Sequence, residues 1–502
     1  MRFHHALAAL APIGVASAFA TAALGGSSVA ASAATTVAGH VTPEVASPLA
    51  YKYVGRAGQS TAEAGYLFTC QEPGASPNCY TPQELAAAYD IPATLTGAGQ
   101  TIVIIDAFGD PTLGQDLATE ERTFSLPPAN LDVIYPDGKP AFNPANADEV
   151  SWTGEIALDV ESAHAIAPAA TIDLVIAKSD RDPDMRSALK YAVSHHLGSV
   201  LSQSYGEAES CEAASIRNAD HTLFEQAEAE GMSVFAASGD TGAAQPSCNN
   251  KSYIKSVGLP AADPLVTSVG AVSLTASQPN GTYESETAWN DSYGSSNGGY
   301  SKLFPRPSYQ DGFVDSAGRG VPDVSLSGDV NNGLLIAWSR GQTADVGNVY
   351  EFGGTSAASP QWAAVTALAD QDARHPLGFL NAKLYALAHG PLYGYVFHDV
   401  TTGNNTFVTG STSTVPITES KDTGKVRVTG YAAANGWDPV TGLGTPVVAH
   451  LLQYLPNFQA PRRGQDSGDR APGSTREPCP HACVAARPVT SSGAGRWGLA
   501  GR

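Results

Sequence analysis

The sequence predicts an α/β fold, a three-layer domain with a central, mostly parallel sheet flanked by helices. Three observations predict it. Short apolar runs recur through the first half of the chain, helical stretches separate them, and the runs are continuous rather than alternating. Continuous runs mark strands buried on both faces, as in parallel sheets covered by helices. The first run, 101–106, reads Thr-Ile-Val-Ile-Ile-Asp. Others span 171–177, 199–204 and 232–237, and helical stretches are expected at about 113–122, 152–166, 183–195 and 214–230. Sites in such sheets lie at the carboxyl ends of the strands. Residues 273–320 are rich in Gly, Ser and Asn and read as long loops. There is no internal repeat.

The ends differ from the body. Arg2, an apolar stretch over 6–23 and Ala31-Ser32-Ala33 form the pattern of a secretory signal peptide cut after Ala33. Export and a soluble mature protein are therefore expected, with no membrane attachment after cleavage. The division that follows is a signal at 1–33, a short N-terminal segment at 34–64, one large domain at 65–456 and a Pro/Gly/Arg-rich disordered tail at 457–502. The chain has 502 residues and a net charge of −20. The tail carries +4, which leaves −24 on the rest and argues against nucleic acid as a partner. Six cysteines suit an oxidising compartment, and Cys70–Cys79 and Cys211–Cys248 are the expected pairs. Cys479 and Cys483 stand in the tail beside His481, a spacing too isolated to define a metal site.

The sharpest motif is Phe352-Gly-Gly-Thr-Ser-Ala-Ala-Ser-Pro360. Two glycines permit a tight turn, and Ser356 then opens a helix whose free N–H groups and dipole would stabilise an oxyanion. Alone, the segment reads equally well as a Ser/Thr cap after a glycine turn. It resembles the serine motif shared by subtilisin-like and sedolisin peptidases. A subtilisin would show a His-Gly segment after its first aspartate strand. Asp106 ends such a strand here, but no such segment follows. His164 is the nearest histidine, and its neighbours mark it as structural.

In the gap stands Glu155-Ile-Ala-Leu-Asp159-Val-Glu161. Glu155 and Asp159 are four apart, so a helix puts them on one face, where like charges repel unless a proton is shared. A solvated acidic face including Glu161 is the bland alternative. The segment, with the following His-Ala-Ile-Ala-Pro168, is similar to the glutamate–aspartate helix of sedolisins, the serine-carboxyl peptidases. Ser238-Gly-Asp240-Thr-Gly resembles that family's oxyanion-hole motif. The resemblance runs from about 80 to 455 and implies a subtilisin-like fold and hydrolysis of peptide bonds through an acyl-enzyme. It implies Ser356 as nucleophile, Glu155 as general base, Asp159 as its partner and Asp240 as oxyanion donor. A carboxylate base starts about two pKa units below histidine, so activity in acid is expected. Endopeptidase action on proteins or peptides by a monomer is expected. A catalytically inactive peptide-binding protein on the same scaffold is the alternative.

The resemblance also implies one structural Ca2+. Asp399 and Asp438 would supply side chains, with carbonyls from Val400, Ala434 and Gly436, an all-oxygen set suited to a hard cation. Sedolisins usually carry a long folded pro-domain. Only about 45 residues separate Ala33 from Tyr80, so a branch without one is expected. Trp152 lines the specificity pocket or packs as a core aromatic on the Glu155 helix; the sequence leaves both open.

Overall fold

The central sheet forms around β1 (Thr101–Ala107), in which Ile102, Val103, Ile104 and Ile105 have no exposed surface. Five further strands lie parallel to it in one path, namely β2 (Asn130–Ile134), β3 (Thr171–Ala177), β4 (Val200–Gln203), β5 (Ser233–Ala237) and β6 (Thr267–Ser277). An antiparallel strand, β7 (Thr282–Ala288), closes one edge, giving the order β7-β6-β5-β4-β1-β3-β2. The eighth strand, β8 (Val324–Ser327), pairs in parallel with β6. This computed structural model describes residues 36–37, 40–41, 50–59, 62, 66–75, 78–408 and 426–457. The expected signal peptide, the tail beyond 457, and Cys479 and Cys483 lie outside the described residues.

Alternation along the strands builds a core on each face. Ile102 and Ile104 face α2 (Ala147–Ile166) and α5 (Thr355–Ala373) in the larger core. Val103 and Ile105 face α3 (Asp182–Ser194) and α4 (Ala214–Ala229) in the other. The remaining predicted helix is α1 (Leu113–Phe124), packed on α2. Each expected strand and helix of this half appears within a few residues of its predicted bounds, and the fold is the α/β, subtilisin-like one the sequence implied. Both expected disulfides, Cys70–Cys79 and Cys211–Cys248, are formed.

Two readings need revision. Residues 273–320 are not simply loops. They contain the end of β6, all of β7, and a strand Gly299–Pro305 that pairs with Gly318–Val321. β7 buries only Glu286 and Ala288 fully, so an edge strand with one wet face needs no apolar run and left no such signal. In addition, Tyr51–Arg56 lies inside the segment set apart as 34–64, yet it is hydrogen-bonded into the body. It pairs with Asn348–Phe352 in a four-stranded sheet completed by Asn332–Ala337 and Asn78–Tyr80. No helix among the described residues is long and apolar enough to cross a membrane.

Candidate active site

Helix α2 starts at Asn146, whose side chain accepts a hydrogen bond from the Asp148 N–H at 3.0 Å, with Asp148 and Glu149 favouring the positive end. From Trp152 to Ile166 every residue is buried. A helix apolar all round can lie inside a domain, but this one takes Glu155, Asp159 and Glu161 with it, all at 0% exposure. The solvated acidic face is thereby excluded.

Burial disfavours an ionised carboxylate, so the group keeps its proton to higher pH. The Asp159 carboxyl is held well above the usual range, first by burial and then by the negative charges of Asp106 and Glu155. The nearby Ser204 hydroxyl acts in the opposite sense. Asp106, at the end of β1, is pushed by burial up to about 8. Asp159 and Asp106 thus retain protons in a cluster of three acids that also includes Glu155. Asp106 is the member that sequence reasoning left without a role, although its place at a strand's carboxyl end was a usable signal.

Ser356 is 3% exposed in the first turn of α5, which packs along α2. Pro360 lies inside that helix and has no N–H to give the Ser356 carbonyl four residues earlier. The Ser204 hydroxyl, just past β4, donates to that carbonyl at 3.5 Å. Ser204 therefore sits between the nucleophile's backbone and Asp159.

Asp240 follows β5. Its Oδ1 accepts from the Thr355 N–H and from Thr355 Oγ1, both at 2.8 Å. Its Oδ2 is buried without a hydrogen-bond partner. Gly354, at φ 96°, makes the approach possible, because a Cβ there would stand 2.6 Å from Oδ2. Burial pushes the Asp240 carboxyl up to about 6, against the lowering effect of the Thr355 donors. Below that pH it carries a proton to donate, and its free oxygen lies beside the start of the serine helix.

His164 is buried in an ion pair with Glu120, Nδ1 to Oε2 at 3.0 Å, which fits a structural role. Trp152 is 2% exposed within the core against α3, so it is a core aromatic rather than a pocket wall. In the C-terminal loops, Asp399 accepts from the Gly436 N–H at 3.0 Å and from the Tyr393 hydroxyl at 3.0 Å. Asp438 accepts from the N–H groups of Ala434, Val440 and Thr441 at 3.1, 2.8 and 2.9 Å. The Val400 carbonyl faces the Thr441 hydroxyl at 3.4 Å. Thr441 also donates to Asp438 at 3.0 Å, so these hydrogen bonds bring the five residues into one loop cluster.

The sheet order, the helix placement and a serine at the N-terminus of α5 define a subtilisin-like α/β protein. The sequence model of the subtilase family matches residues 152–386. Kumamolisin from Bacillus sp. (strain MN-32) is 35% identical over 401 residues, 77% of this chain and 66% of that protein. Sedolisin from Pseudomonas sp. (strain 101) is 29% identical over 393 residues, covering 75% and 61%. A solved structure of Pseudomonas sedolisin, a serine-carboxyl proteinase complexed with two molecules of pseudo-iodotyrostatin, superposes with a TM-score of 0.62 at 28% identity. That match covers 75% of this chain and 98% of the solved one. This chain belongs to the sedolisin family. It spans just under two thirds of the length of the two curated relatives named here.

Proposed function

We propose that this protein is a secreted, acid-active serine-carboxyl peptidase that cleaves within peptide chains. The observation that carries the reading is the buried, proton-retaining carboxyl cluster of α2 and β1 packed against the serine helix. Ser356 Oγ attacks the peptide carbonyl. Glu155 takes its proton and returns it to the leaving amine, the role of imidazole in the histidine triads. Asp159, with Asp106 behind it, holds the shared proton that orients Glu155. Asp240 donates through Oδ2 to the oxyanion, together with the Ser356 N–H.

This assignment fixes the direction of the pH dependence. Asp240 must be neutral to donate, so turnover falls as pH rises through about 6. The test is hydrolysis of an N-acetylated peptide library from pH 3 to pH 8. The expected result is internal cleavage with a maximum in acid. Replacing Asp240 by Ala is expected to lower kcat by about 10²–10³-fold. A maximum above neutrality would sink the assignment.

The oxygen donors at 399–400 and 434–438 fit Ca2+. Asp438 is 2% exposed and pushed by burial up to about 6, and a bound cation would favour its ionised form. Asp399 and Asp438 would hold the ion, with the carbonyls of Val400, Ala434 and Gly436. The ion supplies positive charge that ties the two loops together and takes no part in the reaction. Chelation is expected to lower the melting temperature by several degrees, on the order of 1–3 kcal/mol of binding linkage, and added Ca2+ to restore it. An unchanged melting curve would remove the ion from the account.

A further inference from the structure

A second cluster of acids lies outside the catalytic centre. Between α3, α4 and the chain leaving β4 there is a cleft whose lining includes Asp182, Arg186, Tyr205, Glu207, Glu212 and Asp220. Four of these are acids and one is a base. Glu207 is only 9% exposed, and neither of its carboxyl oxygens has a hydrogen-bond partner. Asp182 is 5% exposed, again with neither side-chain oxygen partnered. A buried carboxyl with nothing to accept from is costly and points to a donor supplied from outside.

We propose that this cleft is a subsite for a positively charged group of the peptide substrate, a protonated amine or a guanidinium. The inference rests on the peptidase reading. Its position supports it. Ser204 touches the Ser356 carbonyl, Tyr205 rims the cleft, and Glu207 follows two residues later. Three residues of extended chain span about 10 Å, so the cleft lies within reach of a side chain a few residues from the bond being cut.

The ligand's class follows from the arrangement. Among the described residues, no group of three or more His, Cys, Asp or Glu is disposed to hold a metal ion. An organic cation with several N–H donors can instead reach carboxyls that are spread apart. The charges facing Glu207 come from each packed element. They are Asp182 and Arg186 on α3, Glu212 on the connecting loop, and Asp220 on α4. Arg217 and Asp263 act on Glu212 from farther out, and Asp263 is held by His221 at 2.7 Å. Burial pushes the Glu207 carboxyl up to about 10 and Glu212 up to about 8. Without substrate the cleft therefore holds protons, and an incoming ammonium or guanidinium displaces one.

The experiment compares peptides carrying Lys or norleucine at each of the second to fifth positions before the cleaved bond, with free and acetylated N-termini. One position, or the free terminus, should raise kcat/KM by about tenfold. Glu207→Gln and Asp182→Asn should each bring that ratio close to one. A side-chain preference identifies Lys or Arg as the source, and a preference lost on acetylation identifies the terminal amine. A ratio near one throughout in the parent, or a preference that survives both substitutions, would overturn the proposal. If no peptide is cleaved, the peptidase reading fails separately. Calorimetric titration of the same peptide pairs onto the parent protein then still decides the cleft, and equal affinities would reject it.

Discussion

A Ser356→Ala protein is expected to lose peptide hydrolysis by on the order of 10⁴–10⁶-fold while melting as the parent does. The side chain lost is one oxygen, in the first turn of α5, and no described hydrogen bond of the fold uses it. Glu155→Ala should fall almost as far, because a serine without its base is as inert as a base without its serine. The double variant should then be scarcely worse than either single one, since groups that act as a unit are not additive. Single-turnover assays on the three proteins would measure this. Near-parent activity in Glu155→Ala would hand the role of base to another group and dissolve the reading of α2 as a catalytic helix. Equal but additive losses would mean that the two residues do not work on the same step.

The second large effect is on stability. Asp106, Asp116 and Glu286 are pushed by burial up to about 8, 7 and 7 in the folded protein. In the unfolded chain such groups titrate near pH ~4. Below that, both states hold the protons and stability is complete. As pH rises toward 7–8 the unfolded chain releases protons that the folded one retains, and stability drains away. Each group costs about 1.4 kcal/mol per pH unit across its window. Three groups together should lower the melting temperature on the order of several degrees per unit between pH 4 and pH 7. Calorimetry across that range would measure it. A flat or rising melting temperature would show that these carboxyls are ionised in the fold. The −24 on the chain before the tail acts in the same direction, because acid neutralises surface repulsion too.

Much of this architecture is legible in the residues. The run over 171–177 is a strand with those bounds, because a short apolar run rich in β-branched residues is too brief for a buried helix and suits a strand covered on both faces. Ser356, Glu155, Asp159 and Asp240 stand out in the sequence through the resemblance of their segments to sedolisin motifs taken together, since each alone also fits a helix cap, an acidic face or a turn. Three things were not legible. β7 is half wet, so its sequence is polar and passes for loop. Tyr51–Arg56 finds its partners nearly three hundred residues away, and no local pattern announces such a pairing. Asp106 was visible as a strand-end aspartate, but its coupling to Asp159 exists only once β1 and α2 are packed. Burial itself is the common omission. The acids of α2 look like a solvent face in sequence, and only packing buries them and makes Asp159 and Glu161 hold their protons.

The absence of a wet side on α2 between Trp152 and Ile166 bears on how this sequence can drift. Most helices offer evolution a neutral face on which residues change freely while the core face is kept. In α4, by contrast, only Phe224 and Ala227 are buried. Along α2 there is no such free face. A substitution anywhere in that stretch alters either packing or the proton cluster, so tuning of acidity there must come from neighbours such as Ser204 and Asp106 rather than from the helix.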